Sequence, residues 1–159
     1  MSERPLLLLD LHYTFAIDEP WHRTTRLENR IPKETYRTWI IDLARKYDAI
    51  VALTTARPIQ YADATLTRIE EVTGWQPHGA FFRKIEGKPH EAKEDNLRRI
   101  IEIIGEPQPH WIGFESNERT RAMYRRYGIY SLAVHRLATP LTEWPSPDTP
   151  LPDQPFALP

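Results

Sequence analysis

The feature that most constrains the fold is the run PLLLLDL at residues 5–11, four leucines in succession that end on an aspartate. An unbroken apolar strand has no solvent face, so it belongs inside a sheet covered on both sides, the habit of parallel sheets. The rest of the chain repeats that theme. Helical spacing over residues 31–47 (IPKETYRTWIIDLARKY) leads to a second apolar run, AIVALT, at 49–54. A helix is expected over 59–73, stopped by Gly74, and a short strand GAFFR at 79–83. Pro89 opens a helix that runs to Ile104, with Gly105 as its stop. HWIGFE (110–115), a helix over 117–127 and IYSLAV (129–134) complete the alternation. Strands separated by helices of this length make βαβ units, hence an α/β, three-layer Rossmann-like fold with a parallel central sheet.

Length and composition bound the rest. A chain of 159 residues suits one domain with a single core. The formal net charge of −1 gives no global attraction to nucleic acid or membrane. Cysteine is absent, which removes disulfides, thiolate metal sites and cysteine nucleophiles. The apolar run at 6–9 is too short for a membrane span or a signal core, so a cytoplasmic location is expected. Seven of the 21 residues from Thr139 to Pro159 are proline. That stretch cannot sustain helix or sheet ladders, and it divides the chain into a domain at 1–138 and a tail at 139–159. The tail reads either as disordered or as wrapping the domain with Trp144 and Phe156, and it is a candidate ligand for a protein partner.

Ligands of open α/β sheets sit beyond the carboxyl ends of the strands. There the sequence delivers Asp10 with His12, then Thr54 and Thr55 with Arg57, then Arg83, and finally Glu115 with Ser116; Lys93 lies on the intervening helix. An aspartate can attack phosphorus, a hydroxyl and a lysine can hold the transferring oxygens, and Mg2+ can bridge carboxylates. The set therefore points to phosphoryl chemistry. No phosphate-binding glycine loop is present, and the histidines lack the i, i+4 pairing of zinc helices.

The order LLLLDLHYTF, VALTTARP, a lysine, then GFESNERTRAMYRRYG resembles the haloacid dehalogenase (HAD) superfamily of phosphohydrolases over roughly residues 5–135. Within it, Arg83 followed by Lys93 at the opening of a helix is most similar to the 3′-phosphatase domain of phage-type polynucleotide kinases. The resemblance implies that Asp10 is the nucleophile, forming an aspartyl-phosphate, and a Mg2+ ligand together with the His12 backbone carbonyl and Glu115. Thr55 and Lys93 would hold the phosphoryl oxygens, and Arg57 and Arg83 would contact a flanking phosphate. His12 stands where the family carries the aspartate that serves as general acid and base, and is the candidate for that role; Ser116 replaces the second acid of the fourth motif. The short segment 16–32, with almost no cap, implies a large substrate such as a phosphorylated nucleic-acid end, or a nucleotide. The expected function is a Mg2+-dependent phosphomonoesterase; the alternative is a catalytically impaired relative that uses the cleft or tail for binding.

Overall fold

The structure is a computed structural model and describes residues 4–148. Five parallel strands, β1 (Leu6–Asp10), β2 (Ile50–Pro58), β3 (Gly79–Arg83), β4 (Trp111–Phe114) and β5 (Tyr130–Leu132), lie in the order β3-β2-β1-β4-β5. β1 is central and wholly buried, as its leucine run requires. The period of two along the strands sorts its side chains between two cores. Leu7, Leu9, Val51, Leu53, Ile112 and Phe114 face α2 (Trp39–Lys46) and α3 (Ala62–Thr73). Leu6, Leu8, Ala52 and Trp111 face α4 (Pro89–Ile104) and α5 (Glu118–Arg126). Gly113 of β4 lets the Tyr124 ring lie against the sheet: a Cβ there would stand 3.1 Å from Cδ2 of that ring and 3.0 Å from Cβ of Ser131.

The chain steps outward from β1 to β2 and β3, then returns across β1 to β4. The direction of winding thus reverses between β1 and β4. A doubly wound sheet opens a crevice at such a point, beyond the carboxyl ends of the two strands. Those ends carry Asp10 and, one residue past β4, Glu115 and Ser116.

The four-residue α1 (Leu27–Arg30) lies in the connection after β1. The helix expected to begin at Ile31 is shorter than its apolar spacing suggests. Residues 31–33 form one 3-10 turn, the chain then runs extended, and α2 begins only at Trp39. Long-range backbone pairing overrides the helical pattern. The Ile17 N–H donates to the Thr35 carbonyl at 2.9 Å, and the Arg37 N–H donates to the Phe15 carbonyl at 2.8 Å. β2 also continues past Thr54 to Pro58, with a register shift against β3 between those residues. Helix α3 consequently starts well beyond Thr55, and that residue is not its cap. Of the proline-rich stretch, residues 139–148 are described. Leu141 is buried, the Lys46 ammonium donates to the Thr142 carbonyl, the Tyr47 hydroxyl donates to Glu143, and Trp144 lies 5.8 Å from the Tyr47 ring. This part lies over the end of α2; Phe156 falls outside the described residues.

Candidate active site

A cavity of about 370 Å³ opens at the reversal point. Its wall includes Asp10, His12, Thr55, Arg57, Lys93, Glu115 and Ser116, which four separate elements and their following loops deliver. Of the residues expected there, Thr54 and Arg83 do not line it: Thr54 accepts from Asn96, and Arg83 ends β3 beside Pro58.

Asp10 is 3% exposed, so its charge survives only through its partners. Lys93 donates to Asp10 Oδ1 and to Glu115 Oε1, and the ammonium is as buried as both carboxylates. On the other side, Oδ2 accepts the Thr14 hydroxyl at 2.8 Å, the Ser116 hydroxyl at 2.9 Å and the Ser116 N–H at 3.3 Å. Burial alone would raise the Asp10 pKa, but the Lys93 charge and these hydrogen bonds outweigh it and hold the carboxyl below its ordinary value. Burial likewise works against the Lys93 ammonium, and the two carboxylates more than compensate, so it stays charged.

Glu115 takes the opposite course. Burial, followed by the Asp10 charge, pushes it up to about 8, against the pull of Lys93 and of the Asn117 N–H on Oε2 at 3.0 Å. One ammonium balances one carboxylate, and the second carboxyl keeps a proton near neutrality. A carboxyl raised by folding contributes stability that is full below its unfolded value near 4.5 and is lost as pH climbs through about 8. His12 and His135, both depressed chiefly by burial, work in the reverse sense below their unfolded value of 6.5. The difference between wild type and Glu115→Gln isolates the carboxyl. Metal-free thermal melts from pH 5 to 8.5 should show wild type losing on the order of 1–3 kcal/mol relative to that variant. Parallel curves would refute the buried protonated carboxyl.

The wall around Thr55 is built from less obvious residues. Thr55 Oγ1 accepts the Arg57 N–H at 3.0 Å, which leaves the hydroxyl proton free to donate into the cavity. Asn96, one turn after Lys93 on α4, fixes the strand that carries Thr55. Its amide donates to Thr54 Oγ1 at 3.1 Å, the Thr55 carbonyl at 3.1 Å and the Phe81 carbonyl at 3.0 Å. Arg57 lines the cavity, but its guanidinium is committed elsewhere. It donates to both oxygens of buried Glu34, at 3.0 and 2.5 Å, and to Thr65 Oγ1 at 2.9 Å. This pair explains why residue 34 leaves the helical path.

Two further arginines brace the loops. Arg37 Nη1 donates to the Tyr13 and Thr14 carbonyls at 2.5 and 2.6 Å, where Tyr13 has a left-handed backbone (φ 65°) that a non-glycine residue adopts only under constraint. Arg121 Nη1 donates to the Glu115 and Ser116 carbonyls at 3.0 and 2.9 Å. The braced loops bring the His12 carbonyl within 3.2 Å of Ser116 Oγ. Asp10 Oδ2 and the His12 carbonyl thus flank one hydroxyl at 2.9 and 3.2 Å. Three hard oxygen donors of the kind Mg2+ takes are thereby brought together through hydrogen bonds of the Ser116 hydroxyl. Glu115, the further metal ligand that the resemblance implies, lines the same cavity, where Oε1 accepts from Lys93 and Oε2 from the Asn117 N–H. Among the described residues there is no cluster of three histidine or acidic side chains of the kind that holds a metal. The His12 ring also lines the cavity, and burial followed by the Arg30 charge lowers its pKa from the ordinary value, which favours the neutral imidazole.

No family model and no curated protein matches the chain. Solved structures do. A phosphoserine phosphatase described as a phospho-aspartyl intermediate analogue aligns with a TM-score of 0.55 at 14% identity, over 81% of this chain and 86% of that one. A phosphoserine phosphatase in apo form gives 0.54 at 15% identity, with the same coverage. Among the described residues no helix is long and apolar enough to cross a membrane. The all-parallel sheet and these likenesses give the chain a Rossmann-like fold shared with the two phosphoserine phosphatases.

Proposed function

We propose that this protein is a phosphomonoesterase that works through an aspartyl-phosphate on Asp10. The observation that carries the reading is the buried Asp10–Lys93–Glu115 cluster in the crevice between β1 and β4. It keeps one carboxylate ionised, below its ordinary pKa, beside a fixed ammonium and a free threonine hydroxyl. In the first step an Asp10 oxygen forms a bond to phosphorus as the ester oxygen departs; Lys93 and the Thr55 hydroxyl stabilise the charge on the transferring oxygens. In the second, water attacks the aspartyl-phosphate, releasing phosphate and restoring Asp10. Asp10, the His12 carbonyl and Ser116 would hold Mg2+, with Glu115 beside them. When bound, the cation offsets charge on the phosphoryl oxygens.

The preferred substrate is a phosphorylated nucleic-acid end or a nucleotide, handled in the cytoplasm. Supporting it are the resemblance carried by Arg83 and Lys93 and a short insert, residues 16–32, whose share of the cavity wall is Leu27 and Arg30. Residues 1–138 form the catalytic unit in this reading, and the tail from 139 is a ligand for a protein partner. The neutral His12 imidazole favours a second reading, in which the chain binds phosphorylated ligands without turning them over, because neutral imidazole is a poor acid for an alkoxide leaving group.

p-Nitrophenyl phosphate separates the two, since nitrophenolate leaves without a proton. Compared with a 3′-phosphorylated oligonucleotide in the presence of Mg2+, it should be turned over with a kcat larger by about 10²–10⁴, the usual contribution of a general acid. Equal kcat values would show that His12 or a water does donate. Absence of turnover on both substrates would sink the enzymatic reading in favour of binding.

A further inference from the structure

The phosphoryl chemistry leaves one wall of the cavity unused. Leu27 and Arg30, three residues apart on α1, both line it, together with Tyr13 and Pro89. Arg30 is the cation without a task. Its Nε is buried and has no hydrogen-bond partner, and no salt bridge reaches its guanidinium among the described residues. The other cations on this wall are engaged: Arg57 by Glu34 and Thr65, Lys93 by Asp10 and Glu115. Burial and the nearby Arg57 charge both work against the Arg30 cation, so an arriving anion would relieve it. A buried guanidinium nitrogen with no protein partner takes its acceptor from outside the protein, a water or a ligand. Arg30 also comes from the insert after β1, whereas the groups that flank Asp10 come from the sheet ends and α4. It is therefore placed for the part of a substrate that is not transferred.

We propose that Arg30 is the subsite for a second anionic group, a carboxylate or a phosphate, carried by the same phosphomonoester whose phosphoryl group Asp10 accepts. This inference rests on the phosphatase reading. The planar guanidinium pairs with either anion in a two-pronged fashion, which a lysine cannot reproduce. Tyr13, Leu27 and Pro89 would pack the carbon frame between the two anions.

The test uses three compounds with wild type, Arg30→Ala and Arg30→Lys: p-nitrophenyl phosphate with no second anion, phosphoglycolate with a carboxylate, and a nucleoside 3′,5′-bisphosphate with a phosphate. The readout is kcat/KM on each doubly anionic compound divided by kcat/KM on p-nitrophenyl phosphate. That ratio should fall roughly 10- to 100-fold in Arg30→Ala, as loss of a charged hydrogen-bond pair requires. Arg30→Lys should fall between the two, and the effect should appear mainly in KM. A fall confined to phosphoglycolate assigns a carboxylate; one confined to the bisphosphate assigns a phosphate. Ratios within twofold of wild type for both compounds would overturn the subsite. If wild type hydrolyses none of the three, the phosphatase reading fails by itself, and calorimetric binding of the two doubly anionic compounds then decides. Affinity at least tenfold weaker in Arg30→Ala keeps the subsite, and equal affinity or none removes it.

Discussion

Asp10→Asn is expected to lower kcat on p-nitrophenyl phosphate by about 10⁴-fold or more while the protein remains folded, because an amide neither attacks phosphorus nor carries the developing ester. The substitution is nearly isosteric: its side-chain oxygen still accepts from Thr14 and Ser116, while its amide NH2 turns toward the Lys93 ammonium, a donor facing a donor. It also removes the charge that helps to hold Glu115 protonated. The remaining Lys93–Glu115 contact then becomes a one-to-one ion pair that offsets part of the cost of the facing donors, so the variant should stay folded with a lowered melting temperature. Acid quenching of wild type during turnover of a labelled substrate should trap a base-labile phosphoryl adduct that the variant lacks. A variant retaining more than about 1% of wild-type kcat, or an equal adduct in both proteins, would remove Asp10 from the nucleophile role.

The parts of this site that were legible in the sequence are those set by local pattern. A leucine run ending in aspartate can only be an interior strand with its charge at the end, and β1 with Asp10 follows from that alone. Pro89 and Gly105 bracket α4, and that fixes Lys93 on its first turns. What escaped are residues whose purpose lies far away in the chain. Glu34 is 1% exposed and sits in a segment with helical spacing, yet it turns inward to meet Arg57, twenty-three positions later. Asn96 is fully buried in α4 for three acceptors on β2 and β3; the one available signal was a polar amide three residues after Lys93, on the same helical face. Ser116 looked like the loss of an acid, but its hydroxyl bridges Asp10 and the His12 carbonyl, a contact across more than a hundred residues. The resemblance assigns Arg57 and Arg83 to a flanking phosphate; in the structure Arg57 is paired with buried Glu34 and Arg83 does not line the cavity. Nothing local distinguishes a paired arginine from a free one, which is why Arg30 emerged only from the structure.

Lys93→Met should cost about 3–5 kcal/mol, the usual penalty for stripping one partner from a buried charge cluster. For a domain of this size that is a fall in melting temperature of roughly 10 °C. The thioether chain fills most of the space of the lysine stem, so lost packing contributes little; the penalty comes from Asp10 and Glu115, which would face each other without a cation. Two buried carboxyls in that position relieve the repulsion by taking up a proton. The folded-state pKa of the pair therefore rises further, and its stabilising contribution, full at low pH, disappears as pH increases through that raised value. The variant should consequently melt nearly as wild type does at pH 5 and well below it at pH 8. Adding Glu115→Gln removes one of the two charges and should recover most of the deficit at pH 8, with little change at pH 5. A deficit under about 1 kcal/mol at pH 8, or one that is equal at both pH values, would mean that Lys93 is not what keeps Asp10 ionised. The structure would then need another source for the charge on Asp10.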